Sequence, residues 1–381
     1  MNKPDRQAPA VAIAVIGAGI AGLTVAATLR KIGARVEIYE QAEAFTPVGA
    51  GVQLTPNAMK VLAGLGQAEH IRRVGFTPDV GYNREWDTGE ITYLHPMGSA
   101  IEQRFGAPDI SLHRAQLHAA LASINPPASM HFNKRLMGLD RAGGGGLRLS
   151  FADGSKACAD AVVGADGVHS TVLDILFGQG RPRFTGQVAY RAVYPTARLG
   201  CEIDDRVKWW GPGRHIVSYK VDRRRSELYF IASTPGPDFK IESWSERGNL
   251  DQLRAAYAGF HPQARMILDC CQEVRKWALV ERDPLPRWSE DRIVLIGDAC
   301  HPMLPYMAQG AGSAMEDAAV LARCLAATSL DDFSSAFRKF ERNRKERTSR
   351  IQLGARKNVW MRIAPDTEWL YNYDAWTVPL I

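Results

Sequence analysis

An α/β fold is predicted by three features of this sequence. First, a β-branched run, Val11-Ala12-Ile13-Ala14-Val15-Ile16, meets Gly17-Ala18-Gly19-Ile20-Ala21-Gly22, then a helical stretch from Leu23 to Arg30 and a second strand, Arg35 to Tyr39, ending at Glu40. Second, two later strand-like runs, beginning at Ala161 and at Asp291, stop at turns, Gly164-Ala165-Asp166-Gly167 and Gly297-Asp298. Third, from about Phe184 to Trp277 polar and apolar residues alternate in short segments such as 206–210, 215–219 and 227–231, separated by turns such as Gly211-Pro212-Gly213 and Pro235-Gly236-Pro237. Period-2 alternation between such turns marks an antiparallel sheet. The whole reads as a Rossmann-like domain with an inserted, mainly antiparallel β-sheet domain and a C-terminal helical region. The boundaries fall at 1–75, 100–180 and 285–330 for the dinucleotide-binding domain, at 76–99 and 181–284 for the inserted sheet, and at 331–381 for the helical region.

Each element has a physical reason. Strand, glycine turn, helix, strand and acid form a nucleotide-binding βαβ unit. Gly17 makes the tight turn, Gly19 lets a pyrophosphate approach the backbone, and Gly22 lets the helix pack close to the strand. The helix N-terminus offers free N–H groups and the positive end of its dipole to phosphates. Glu40 is placed to accept hydrogen bonds from ribose hydroxyls, and an acid there disfavours a 2′-phosphate, so the resident ligand is FAD or NAD. After Gly297-Asp298, the stretch 307–312 is a Gly-rich turn feeding a helix that runs to about Leu325. From Asp331 to Arg350, Phe333, Phe337 and Phe340 mark one helix face, and the arginines and lysines opposite read as a solvated face rather than a nucleic-acid site.

Composition narrows the function classes. A chain of 381 residues has room for two or three domains at roughly 150 residues each. Hydrophobic residues at 46% and charged residues at 23% are globular values, and 34 Gly with 21 Pro exclude collagen-like and disordered chains. Lys plus Arg at 47 against Asp plus Glu at 41 gives a net charge of +6, which favours anionic small molecules. The six cysteines form no CxxC pair and no Cys/His set with zinc spacing, so they read as free thiols in a reducing compartment, with no metal. The uncharged stretch from Val11 to Leu29, behind Lys3 and Arg6, has the length of a membrane span or the look of a leader. Its strand–glycine–helix pattern argues against both, and a cytoplasmic location is expected.

The glycine fingerprint, the GADG segment at 164–167 and the GDACHP segment at 297–302, in this order and at these separations, resemble those of the FAD-dependent aromatic hydroxylases, the single-component flavoprotein monooxygenases. The resemblance spans essentially the whole chain. It implies bound FAD, NADH or NADPH as a transient co-substrate, O₂, and a small aromatic or pyridine carboxylate substrate. It implies no nucleic acid and no membrane, and leaves monomer or homodimer open. It assigns Gly17, Gly19, Gly22 and Glu40 to the ADP half of FAD, Asp298 to the ribityl chain, and Gly310, Ala311 and Gly312 to a helix N-terminus beside the flavin carbonyls. Asp166 is assigned near the pyrophosphates and Arg114 to a helix start facing FAD. An arginine expected shortly after Ser170 is absent, since Thr171, Val172 and Leu173 follow, and Arg181 or Arg183 is the candidate substitute.

The same resemblance places Gln53, Arg206, Trp210, Tyr306 and Met307 in the substrate pocket, with Trp209 as further apolar lining. Gln53 and Tyr306 stand where histidine is expected, and Arg206 where cysteine is. His215 and Tyr219 are the catalytic candidates. Their even separation on a strand puts both on one side, and a histidine near its ordinary pKa suits deprotonation of a ring hydroxyl. His301, beside the flavin motif, is a second candidate base, and Arg206 a charge-assisted partner for a carboxylate. The expected reaction is hydroxylation of an electron-rich ring, either a hydroxypyridine carboxylate with loss of the carboxylate or salicylate or another hydroxybenzoate. The reading from a different class is a non-catalytic flavoprotein or an electron-transfer reductase.

Overall fold

The five residues Ala12–Ile16 are all buried, and as β1 they run through the middle of a six-stranded sheet. A strand covered on both faces must be apolar at every position, which is why this segment reads as a continuous β-branched run rather than an alternating one. In this computed structural model the described residues are 12–46, 49–142, 145–178, 180, 182–236, 246–329, 331–359, 362 and 366–381. Val11, Arg181 and Pro237 lie outside them. The sheet order is Ser289–Glu290, Ile293–Leu295, Ala161–Gly164, β1, β2 (Arg35–Tyr39), Met130–His131, with all neighbours parallel except the first pair. Between β1 and β2, the helix α1 (Ile20–Lys31) begins inside the glycine fingerprint, three residues before the predicted Leu23, because Gly19 takes an extended N-cap conformation and releases the chain into the helix at once. The helix Gly310–Ala326 packs beside it, and the buried Thr28 hydroxyl donates to Ala318 O at 2.9 Å.

The alternating middle of the chain forms a seven-stranded sheet in the order Arg275–Glu281, Arg183–Pro195, Glu227–Pro235, Arg214–Lys220, Arg206–Gly211, Val80–Glu85, Ile91–Pro96. Every pairing is antiparallel except that of Arg206–Gly211 with Val80–Glu85. Successive side chains point to opposite faces. One face carries Val207, Trp209, Ile216 and Phe230 into a core with the helices Leu250–Ala256 and Pro262–Asp269. Trp209 therefore stacks on His261, with ring centroids 5.4 Å apart, and is not pocket lining. The other face looks towards the six-stranded sheet.

The helix Phe333–Lys357 is N-capped by Asp332, whose carboxylate accepts from Ser335 N–H at 3.2 Å. Phe333, Phe337 and Phe340 are buried as expected. The reading of the basic residues as a uniformly solvated face is corrected. Spacings of three and four carry the buried stripe from Phe337 and Phe340 through Arg344 to Thr348, Ile351 and Ala355, so Arg344 falls on the inward face and is fully buried. Its Nε donates to Asp317 Oδ1 at 2.7 Å and its Nη1 lies 2.8 Å from Glu316 Oε2. Arg347 also turns inward, 2.9 Å from Glu316 Oε1. All six cysteines are free. Among the described residues, no helix is long and apolar enough to cross a membrane.

Candidate functional site

A cavity of about 470 Å³ lies between the two sheets, with one end at the glycine turn of α1 and the other against the inward face of the seven-stranded sheet. At the first end, Gly19, Ile20, Ala21, Ala165, Gly167, Arg114, Asp298, Gly310 and Ala311 form the wall. Two helix N-termini open there. Neither α1 nor Gly310–Ala326 has a side-chain cap or an acid in its first turn, so both leave N–H groups and the positive dipole end to a ligand. A Cβ at Gly19 or Gly310 would meet nothing within 4 Å, whereas one at Gly22 would stand 1.9 Å from Gly17 O. Gly17 (φ +98°) and Gly22 shape the turn, and Gly19 is the open approach. A side chain at Gly312 would meet Gln309 and Ala58, so Gly312 packs rather than lines.

Glu40 sits at this turn, its Oε2 accepting from Ala18 N–H at 2.7 Å and its Oε1 from Ala42 N–H at 2.8 Å. Asp298 lines this end of the cavity and its side chain is exposed there. Desolvation by the surrounding protein pushes its carboxyl up, while His301 and Arg114 pull it back down. Arg114 lies across from it, with its own pKa lowered by burial. This set suits a long anionic ligand with polar hydroxyls. Glu40→Ala is expected to weaken retention of the dinucleotide about tenfold, the scale of a lost charge-assisted hydrogen bond. Flavin-to-protein ratio after gel filtration checks it, and unchanged retention would remove the ribose role.

The other end is built by strand register. Arg206 pairs across from Tyr219 and Trp210 from His215, with Lys208 between them opposite Val217. The next strands add Tyr229 and Ile231, then Arg191, then Trp277. Gln53, Tyr306 and Met307 close the wall from the other side. His215 and Tyr219 share the inward face and both line the cavity. The Tyr306 ring meets His215 edge-on at 5.0 Å. Burial, then the positive charge of Lys208, hold the His215 imidazole well below its ordinary pKa. Burial raises the Tyr219 phenol well above its own. Asn358 sets the tautomer of His215. Its Oδ1 accepts from Lys208 Nζ at 3.5 Å, which turns its Nδ2 to donate to His215 Nδ1 at 3.4 Å. The ring proton then sits on Nε2. Burial and Lys208 disfavour the charged imidazolium, which weighs against His215 as a base titrating near neutrality.

Five other residues sit apart from their expected roles. His301 is buried outside the cavity wall, its Nε2 2.5 Å from Asp317 Oδ2. Burial pushes Asp317 up, but His301 and Arg344 overcome it and keep the carboxyl ionised. His301 is thus held by a buried hydrogen bond to Asp317. Asp166 turns away from the cavity, accepting from Ser170 Oγ at 2.6 Å and Val172 N–H at 3.1 Å at the start of the helix Thr171–Phe177. Trp210 does not line the cavity; its ring lies beneath Lys208, 3.6 Å from Nζ to the centroid. Arg206 does line it, but its guanidinium is taken by Asp109 at 2.7 Å, both nearly buried. Arg183 pairs with Glu281 at 2.5 Å and is no stand-in for the missing arginine.

Residues the sequence did not single out are Lys208, Asn358, Arg191, Tyr229 and the carboxylates Glu316 and Asp317. Lys208 was readable in principle, since it lies two residues from Arg206 and must share its face. Asn358 was not, because only the end of the long helix delivers it to the sheet.

Comparison with known proteins bears on this geometry. Residues 10–351 match the family model described as an FAD binding domain. The 6-hydroxynicotinate 3-monooxygenase of Bordetella bronchiseptica is 42% identical over 372 residues, 97% of each chain. The 3-amino-4-hydroxybenzoate 2-monooxygenase PtnB3 of Streptomyces platensis is 36% identical, covering 95% of this chain and 96% of its own. Klebsiella pneumoniae HpxO, solved in complex with FAD and uric acid, superposes with a TM-score of 0.82 at 26% identity, over 95% of this chain and 92% of that one.

Proposed function

The chain belongs to the FAD-dependent aromatic-ring monooxygenases, and from that membership we propose that its substrate is 6-hydroxynicotinate, hydroxylated with loss of the carboxylate. The overall change is 6-hydroxynicotinate, O₂, NADH and two protons giving 2,5-dihydroxypyridine, CO₂, water and NAD⁺. What carries the substrate reading is the 42% identity over 97% of both chains with an enzyme named for that reaction. Residues of this chain fit FAD at the glycine-turn end of the cavity, with Gly19, Glu40, Arg114, Asp298 and the N-terminus at Gly310 as its holders. When bound and reduced by NADH or NADPH, FAD supplies the activated oxygen. The protein's part is positioning and solvent exclusion. Neutral His215 donates from Nε2 to the ring oxygen and stabilises negative charge there as the ring reacts. Tyr219, on the same face, orients that oxygen. Met307 and Tyr306 keep water from the reacting carbon. The six free thiols support a reducing, cytoplasmic setting.

His215→Ala is expected to lower kcat/KM by about 100- to 1000-fold, the scale of one lost oxyanion donor, with FAD still bound. If neither turnover nor substrate affinity changes, the residue is structural. A hydroxybenzoate is the second reading, favoured by the 36% identity to a hydroxybenzoate monooxygenase and by Gln53, Arg206 and Tyr306 on the pocket wall. The deciding experiment is NADH consumption by the holoenzyme with 6-hydroxynicotinate and, separately, salicylate, recording product mass and peroxide. Coupled formation of 2,5-dihydroxypyridine supports the first reading. Coupling with salicylate alone, or peroxide without product from 6-hydroxynicotinate, moves the substrate to the hydroxybenzoates.

A further inference from the structure

Among the described residues, the cations Arg206, Arg191, Arg114 and Lys208 line this cavity. Arg206 is paired with Asp109 at 2.7 Å. Arg191 lies over the Trp277 ring at 4.4 Å. Arg114 stands in the field of Asp298 at the dinucleotide end. The fourth is Lys208. Its Nζ rests 3.6 Å from the Trp210 ring centroid and 6.0 Å from that of Tyr306, and donates a long 3.5 Å hydrogen bond to Asn358 Oδ1. Among the described residues, no carboxylate lies within 4.0 Å of it. The charge of Arg362, which shares its surroundings, repels it.

We propose that Lys208 is the residue that receives the carboxylate of the aromatic substrate, placed by the Trp210 ring beneath it and by Asn358 beside it. The inference rests on the reading of the substrate as an aromatic acid and names which group of the protein recognises that acid. The register explains the position. Lys208 lies between the Arg206–Tyr219 and Trp210–His215 pairs, so an acid on Lys208 puts its ring between the two candidate catalytic side chains. The energetics point the same way. Burial and the charge of Arg362 push the ammonium down to about 7, a standing cost to the empty protein that a bound carboxylate would offset. Asn358 is held for this purpose in the left-handed conformation (φ 47°, ψ 40°) that ends the long helix, an asparagine-tolerant geometry. Its amide ties the lysine to the tautomer of His215, so the group that reads the acid also fixes the donor that acts on the ring.

The test compares an acid with its neutral isostere. Dissociation constants of 6-hydroxynicotinate and 6-hydroxynicotinamide are measured by flavin absorbance titration for the holoenzyme, Lys208→Met, Lys208→Gln and Lys208→Arg. Melting temperature and flavin content verify folding. The wild type is expected to prefer the acid by tenfold or more, Lys208→Met and Lys208→Gln to lose that preference while binding the amide as before, and Lys208→Arg to keep part of it. An undiminished preference in Lys208→Met or Lys208→Gln overturns the inference and leaves the substrate reading standing. A wild type that binds neither 6-hydroxynicotinate nor salicylate overturns both.

Discussion

Arg344→Met should lower the melting temperature by roughly 4–6 °C, the consequence of breaking buried ion pairs worth about 3–5 kcal/mol in a chain of this size. The guanidinium is fully buried and serves two carboxylates, Asp317 at 2.7 Å and Glu316 at 2.8 Å. Both acids are themselves fully buried. Burial alone would protonate them, but Arg347 and Arg344 hold Glu316 below the usual carboxylate range, as His301 and Arg344 hold Asp317. Methionine fills the volume and leaves two buried negative charges underpartnered. Arg344→Lys should rescue poorly, since a single ammonium cannot present the planar fork that reaches both acids. The loss should also reach the cofactor, because Asp317 Oδ2 accepts from Gly297 N–H at 3.0 Å and so fixes the turn that carries Asp298. The sign of the pH effect follows. These acids are depressed in the folded state, so their stabilisation is present above pH ~4 and is lost as pH falls through their folded values. The deficit of Arg344→Met should therefore narrow on acidification. A melting temperature within about 1 °C of wild type at pH 7 would mean that the pairs contribute nothing net.

Gly22→Ala should cut FAD retention by about 10- to 100-fold, the scale of an overpacked site costing roughly 1–3 kcal/mol. The added methyl would stand 1.9 Å from Gly17 O and 3.3 Å from Val15 Cγ1, so the helix must lift from the strand or the turn must open. Either movement displaces the N–H groups at Ile20 that face the cavity. Gly19→Ala is the informative companion. Its methyl meets no protein atom within 4 Å and projects where the dinucleotide lies, so flavin should be lost with the melting temperature of the apoprotein unchanged. Gly22→Ala should lose both. Full flavin occupancy and an unchanged apoprotein melting temperature in Gly22→Ala would show that the close approach is not needed.

Local signals were readable in proportion to how local their physics is. The turn from β1 to α1 depends on glycines within six residues of one another, and it stood in the sequence. The inward face of the large sheet depends only on alternation, so the placement of His215 beside Tyr219 could be read from their spacing. What could not be read were partners brought from afar. Nothing near Arg206 announces that Asp109 will neutralise it. Asp166 was legible as part of a turn, but the direction of its carboxylate was decided by Ser170 and Val172, which use it as a helix-start acceptor. His301 was adjacent to the right motif, yet an aspartate sixteen residues further on captured its ring. Arg344 offered a usable signal in its heptad position, overridden by the habit of assigning arginine to solvent.

The cavity wall runs in sequence from Gly19 to Tyr371, and the helix α1 is tied to Ala318 through a hydrogen bond between residues 290 positions apart. On a ribosome adding about 5–20 residues per second, the first strand and its glycine turn therefore wait tens of seconds for the partners that bury them. Such long-range closure is slow and leaves apolar edges unpaired meanwhile. The first half of the nascent chain should thus lean on holding factors. A message truncated shortly before residue 358 should yield a chain able to close most of its core while lacking Asn358 and the Tyr371 wall.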